Sequence, residues 1–271
     1  QHPTLRRQRQ MCIRDRMRIA MEDGVLVPWK KNRPEDTKTA WELMMADRGG
    51  LYLDSKPGLY TDVIELDFAS LFPSIIATRN ISPETLNCAC CQPTNEIVTA
   101  ANYLPLEVNS ANSEFRRRRL EERVGTGLFP VPSSYALQVP GLSSHTCGRV
   151  HGFLGRVVAP IIERRRQLKQ QMVHKGDAID KQQNALKWLL VTCFGYTGYK
   201  NARFGRIEAH EAICAWAREI LLQTITIAEE EGWTVLHAIV DCVWIHREDV
   251  SRQEKQVPVS YTHLRAHETD T

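Results

Sequence analysis

The sequence has no uninterrupted apolar run near the roughly 18 residues that a membrane-spanning helix needs, so no segment is placed across a membrane. Its first ten residues, QHPTLRRQRQ, lack the apolar centre of a secretory signal, and the expected compartment is the cytoplasm. Net charge is small. The 35 Lys and Arg against 32 Asp and Glu leave +3, which excludes a uniformly polybasic or acidic chain but permits a locally basic face. The 8 cysteines lack the regular spacing of a disulfide framework, which again suits a reducing compartment. No internal repeat is visible.

What remains is an ordinary globular composition over 271 residues, 42% hydrophobic and 25% charged, enough for one large domain or two small ones. The basic residues are bunched, at Arg116 to Arg119 and in ERRRQLK from Glu163 to Lys169. MCIRDR (Met11 to Arg16) and VSYTHLRAHETDT (Val259 to Thr271) resemble peptides translated from sequencing-adaptor DNA. Residues 1–16 and 259–271 are therefore set aside as non-native ends.

The expected organisation is α+β. In DVIELDFASLFPSII, Val63 to Phe68 read as a strand that passes into a turn or helix start. Residues 87–148 read as loops with one short helix through the arginine run. From Gly152 the spacing is helical, with apolar Val157, Ile161, Leu168 and Met172 and with Pro160 at a first turn or kink. A short connection, HKGDAID, leads to a second helix over about 179–194 with Asp177 or Asp180 as its cap, so the two helices should form an antiparallel hairpin. EAHEAICAWAREILLQTITIAEEEG is a third long helix stopped by Gly232. WTVLHAIVDCVWIH then reads as one unbroken strand, because DCV is poor turn chemistry.

Four segments, DFASLFPSII, ERRRQLK, KWLLVTCFGYTG and VDCVWI, with NISPETL after the first and HTCGRVHGF before the second, occur in an order and spacing that resemble family B DNA polymerases. The resemblance covers most of residues 48–248. It implies a polymerase palm with an antiparallel sheet and an inserted antiparallel helical fingers hairpin, with exonuclease and thumb domains absent. The implied division is 17–149 for the lead-in and first part of the palm, 150–200 for the fingers, and 201–258 for the second part of the palm. Template-directed transfer of deoxynucleotides to a primer 3′ end follows, with two Mg²⁺ ions, deoxynucleoside triphosphates, primer–template DNA, and replication or repair proteins as partners. Nucleoid association would accompany those partners.

The residues suit that chemistry, since carboxylates on adjacent elements can hold cations that neutralise charge in phosphoryl transfer. By the resemblance, Asp67 and Asp241 are metal ligands, with the backbone carbonyl of Phe68 beside them. The residues alone also allow Asp67 to be a helix N-cap. Ser70 and Leu71 could offer backbone N–H groups to phosphates. Phe72, where the family usually has Tyr, would stack beneath the incoming sugar and exclude a 2′-hydroxyl by volume. Arg165 and Lys169 share a helical face and, with Lys187 on the next helix, suit a triphosphate. Lys187, Val191 and Phe194 share a face of that helix, followed by Gly195. The family has Asn, Ser and Tyr at the positions of Val191, Thr192 and Phe194, and Gly195 would leave room for the template base.

The last segment departs furthest. The family pattern is Asp-Thr-Asp-Ser on a hairpin turn, and the matching residues are taken as Asp241, Cys242, Val243 and Trp244, so that Val243 replaces the second acid. Loss of one metal-binding carboxylate would remove several kcal/mol, or about a thousandfold in rate. Glu65, two residues before Asp67 on the same strand face, is the candidate substitute. This resembles an archaeal branch of the family described as inactivated, which makes a catalytically inactive DNA-binding or accessory protein the alternative.

Cys88 and Cys91 form a C-x₂-C pair, and His145 and Cys147 precede the basic helix. Such a set can be unligated thiols or structural Zn²⁺. Thermophilic relatives imply a third possibility, a disulfide such as Cys88 with Cys147. Cys193, Cys214 and Cys242 read as packing residues.

Overall fold

A computed structural model of the chain describes residues 14, 16–22, 27, 37–46, 48–88, 91, 136–171, 177–199 and 201–247. In chain order the elements are α1 (Ala40–Ala46), β1 (Tyr52–Leu53), β2 (Val63–Asp67), α2 (Leu71–Thr78), β3 (Leu137–Gln138), β4 (His145–Thr146), α3 (Phe153–Gln171), α4 (Asp177–Thr197), α5 (Ile207–Glu230), β5 (Thr234–Ile239) and β6 (Cys242–His246).

The four-stranded sheet runs β1-β5-β6-β2, antiparallel throughout, and β3 pairs with β4 as a separate ribbon. Period-two alternation decides what each face of the sheet carries. On β6, Val243 and Ile245 are buried while Cys242, Trp244 and His246 are only partly covered. Helix α5 packs against β5 and β6, and α2 packs against α5, so the core lies on the face of Val235, Ala238, Val243 and Ile245. The opposite face carries Asp67 across from Cys242, Cys242 across from Ile239, and Glu65 across from Trp244.

The unbroken strand expected over residues 233–246 is instead a hairpin that turns at Val240 and Asp241. Val240 has φ +55°, a left-handed conformation that a β-branched residue reaches only when its surroundings impose it. Both neighbours supply the constraint. The Val240 amide donates to the Leu51 carbonyl at 2.9 Å, and the Phe68 amide donates to the Asp241 carbonyl at 2.9 Å. Gly50 permits the approach, since a Cβ there would stand 2.9 Å from Val240 Cγ2.

Helices α3 and α4 pack along one another as the expected hairpin, joined through residues 172–176. Pro160 lies inside α3 on its exposed side, and α4 begins at Asp177, earlier than expected. Asp180 is not a cap; it accepts hydrogen bonds from Gln183 and Asn184 within the helix. Helix α5 ends where expected, with Gly232 at φ +80° just beyond it. At α1, Thr39 and Glu42 form a reciprocal cap, the Thr39 amide donating to Glu42 and the Glu42 amide to Thr39 Oγ1. Lys38, beside it, pairs with Glu208 and Glu211 of α5.

NISPETL joins the parts. Asn80 Nδ2 donates to the carbonyls of Cys147 and Val150, and Asn80 Oδ1 accepts from the Gly152 amide. Glu84 accepts from the Phe153 amide at the start of α3, and the Ser82 side chain accepts from Leu154. Arg206, ahead of α5, donates to the carbonyls of Pro83 and Leu86. Gly152 allows this closeness, because a Cβ would lie 2.5 Å from that of Ser82. Arg16, within the end set aside as non-native, is fully buried and donates to the Cys193 carbonyl at 2.5 Å. The arginine run at 116–119 lies outside the described residues.

Candidate active site

Asp67 ends β2 and is no helix cap; the residue that enters α2 is Ser70, at φ +59°. Because β2 pairs with β6, Asp67 is brought beside the β5–β6 turn, and oxygens of Asp67 and Asp241 and the Cys242 sulfur lie within 4.8 Å of one another. Asp241 is raised above the ordinary aspartate range, first by partial burial and then by the negative charge of Asp67, with Lys187 acting in the opposite sense. Two repelling acids, Asp67 exposed and Asp241 partly buried, are a poor arrangement by themselves and a good one for a divalent cation.

Cys242 is not a packing residue as expected. It shares the face of Asp67, and its thiol donates to Asp67 Oδ1 at 3.2 Å. Burial, the hydrogen bond to Asp67 and the surrounding acids push this thiol up to about 12, so it stays protonated at neutral pH. A hard cation would therefore meet the carboxylates and not a thiolate.

Val243 does not stand at this site. Its side chain is 0% exposed and points into the core between Leu66 and Ala238, on the opposite face from Asp67. An acid at 243 would be directed away from Asp67, so the assignment of Val243 as the replaced catalytic acid is withdrawn on geometry. Ile239, across from Cys242, is the apolar residue on the site's own face. Glu65 shares that face but lies outside the group formed by Asp67, Asp241 and Cys242. The expectation that it fills a vacant ligand position thus gains no close approach to support it.

The remaining candidates are distributed around this pair. Leu71 and Phe68 are both buried, while the first amides of α2, those of Leu71 and Phe72, have no partner within the helix. Arg165 is 8% exposed and donates to Ser70 Oγ at 2.6 Å, so it grips the turn between β2 and α2. Lys169, Lys187, Val191 and Gly195 are exposed on α3 and α4, and a Cβ at Gly195 would meet nothing within 4 Å. The three basic residues therefore do not present one exposed cluster. Arg166 pairs with Glu163 on its own helix.

Phe72 stacks on Phe194 with centroids 4.3 Å apart and planes at 5°, and the other neighbour of Phe194 is His210 of α5, at 4.6 Å and 19°. This three-ring stack joins α2, α4 and α5. His210 escaped the sequence reading, although a histidine one turn into an apolar helix was the available signal.

A family model described as DNA polymerase family B matches residues 1–261. The chain belongs to this family. Among curated relatives it is 30% identical over 234 residues to DNA polymerase 2 of Saccharolobus solfataricus, covering 86% of this chain and 29% of that protein. It is 29% identical over 231 residues to a DNA polymerase of Thermococcus gorgonarius, covering 83% of this chain and 24% of that one. The solved family B DNA polymerase of Pyrobaculum calidifontis matches 97% of this chain and 28% of its own with a TM-score of 0.58 at 23% identity, which shows the fold. The chain spans less than a third of the length of these relatives. Its α+β architecture is that of a family B palm sheet with an inserted helical hairpin, and no helix among the described residues is long and apolar enough to cross a membrane.

Proposed function

We propose that this chain carries the nucleotidyl-transfer site of a DNA-directed DNA polymerase, with residues 150–200 as fingers and the flanking segments as palm. The observation that carries the reading is the meeting of Asp67 and Asp241 across β2 and the β5–β6 turn, on the sheet face opposite the core. We further read the turn as the family's Asp-Thr-Asp-Ser in a register shifted by two. Ile239, Val240, Asp241 and Cys242 then occupy the four positions, because Ile239 and Cys242 flank the turn as a cross-strand pair. In this register Asp241 is the second acid, and the missing one is the first, at Ile239.

The donor set fits a divalent cation, since two carboxylates lie together and burial and mutual charge raise one of them. Asp67 and Asp241 would hold Mg²⁺, which supplies charge neutralisation at the reacting phosphate. The chain's own residues do the rest. Lys187 offsets the acids' charge, the amides of Leu71 and Phe72 offer donors to an incoming deoxynucleoside triphosphate, and Lys169 extends the basic lining. Arg165 positions these amides through Ser70 and does not grip phosphate directly in this conformation. The Phe72 ring, backed by Phe194 and His210, occupies volume against a ribose 2′-hydroxyl.

Primer–template DNA is the substrate that unites these groups. Ile239 and Val191, both apolar where the family has polar residues, favour the alternative of a polymerase-derived protein that binds DNA without efficient chemistry. Single-nucleotide primer extension with Mg²⁺ separates the two. Extension above an Asp67→Ala control supports the enzyme. Retained DNA binding with extension equal to that control supports the binding protein.

A further inference from the structure

We propose that Cys88, Cys91 and Cys147, with His145 as the fourth ligand, bind a structural Zn²⁺ that clamps the root of the fingers hairpin to the palm. This site is separate from the polymerase reading and stands or falls without it. The three thiol sulfurs lie within 4.8 Å of one another. Cys91 Sγ and Cys147 Sγ are 3.8 Å apart, and Cys88 Sγ is 3.7 Å from His145 Nε2; His145 lies outside the group of three sulfurs and would complete the set by turning its ring in from beside Cys88. Tetrahedral zinc, with Zn–S near 2.3 Å and Zn–N near 2.0 Å, sets sulfur–sulfur edges of about 3.8 Å and sulfur–nitrogen edges of about 3.5 Å. A disulfide requires sulfurs about 2.0 Å apart, and none joins these residues.

Backbone donors converge on one of these sulfurs. The amides of Arg149 and Val150 both donate to Cys147 Sγ at 3.3 Å, two hydrogen bonds that are strongest when the sulfur is anionic. On the other side the Cys91 amide donates to the Cys88 carbonyl at 3.3 Å, which folds the C-x₂-C pair into a turn with both side chains on one side. Apart from Ala136, these cysteines are the members of a small buried cluster separate from the main core. Soft sulfur donors with one imidazole select zinc over Mg²⁺.

The location gives the ion a task. Cys147 and Cys91 are 56 positions apart, so a metal joining them closes a long loop. Cys88 follows NISPETL directly, and Cys147 holds the Thr85 carbonyl through its amide and Asn80 through its own carbonyl. The clamp thus fixes the segment leaving α2 against the segment entering α3, the two elements that Ser70 and Arg165 also connect.

The test is metal analysis of the full chain purified without chelators and supplied with Zn²⁺, beside mass-mapped alkylation under non-reducing conditions. About one zinc per chain is expected, with Cys88, Cys91 and Cys147 protected from alkylation until a chelator is added. Replacement by Co²⁺ should give the visible absorption of tetrahedral thiolate-bound cobalt, a readout on the wild-type chain that survives if Cys147→Ser fails to fold. Cys147→Ser, where folded, should lose the metal, while Cys214→Ser should keep it. Folded wild-type chain with less than about a tenth of an equivalent of zinc, or a Cys91–Cys147 disulfide in the alkylation map, overturns the proposal.

Discussion

Replacing Val243 by Asp tests whether position 243 belongs to the core or to the catalytic site. Val243 is wholly buried between Leu66 and Ala238. Removing a buried valine forfeits about 1.5–3 kcal/mol of apolar burial. Keeping the new carboxyl protonated at pH 7, against an ordinary value near 3.9, costs about 4 kcal/mol more. The sum, roughly 6 kcal/mol, is comparable with the entire stability of a domain, about 5–15 kcal/mol. Urea denaturation followed by circular dichroism should show the Val243→Asp chain largely unfolded, and Mn²⁺ should not rescue it. Ile239→Asp places the same carboxylate on the Asp67 face beside Cys242, where it is partly solvated. That variant should remain folded and bind Mn²⁺ about tenfold more tightly than wild type, because affinity for hard cations follows ligand charge. A stable Val243→Asp chain with stronger Mn²⁺ binding and faster primer extension, together with an inert Ile239→Asp chain, would refute the face assignment and the register drawn from it.

Asp241 carries a pH dependence whose sign is fixed by its raised value. A carboxyl with a higher native than unfolded pKa binds protons more readily when folded, so its contribution to stability is lost as pH rises from the ordinary aspartate range through the raised value. Asp241→Asn should flatten that segment of the stability–pH curve and raise Tm at neutral pH, as thermal scans without divalent cation would show. Asp67→Asn removes the negative charge that helps push the Cys242 thiol up and leaves a weaker, neutral acceptor, so mass-mapped alkylation of Cys242 at pH 8 should accelerate, by about tenfold for each unit by which its value falls. Unchanged alkylation would mean that burial and the other acids, Asp241 and Glu65, set the thiol without Asp67. Asn80→Ala strands two carbonyls and one amide at the palm–fingers junction, and should cost about 2–4 kcal/mol in urea denaturation. A loss below about 0.5 kcal/mol would show that the NISPETL contacts are dispensable.

Much of the fold was legible because periodicity reports burial directly. The alternation of Val63 to Asp67, the apolar stripe of the third helix and its stop at Gly232 all appear where one-dimensional spacing places them. The β5–β6 turn was not legible, because Val240 has the wrong intrinsic chemistry for φ +55° and is held there by Leu51 on one side and by the sheet on the other. That single error concealed the facing of Val243 and Ile239, since a strand drawn straight through the turn loses the cross-strand pairs that decide faces. The same loss disguised Cys242 as a packing residue. The alternation along β2 placed Asp67 at a strand end, while residue chemistry left an N-cap open that Ser70 takes instead. The role of NISPETL as a hydrogen-bonding hub came only from the structure, because its partners, such as Val150, Gly152 and Arg206, lie about 70 to 123 positions away.

The central claim is that Asp67 and Asp241 together form the cation site of this polymerase fold. Titration of the wild-type chain with Mn²⁺, monitored by electron paramagnetic resonance of the free ion, tests it most directly. The account predicts saturable binding that Asp67→Ala and Asp241→Ala each weaken by about tenfold or more, while Glu65→Ala leaves it within about twofold. Mn²⁺ binding that is equally strong in wild type, Asp67→Ala and Asp241→Ala would contradict it.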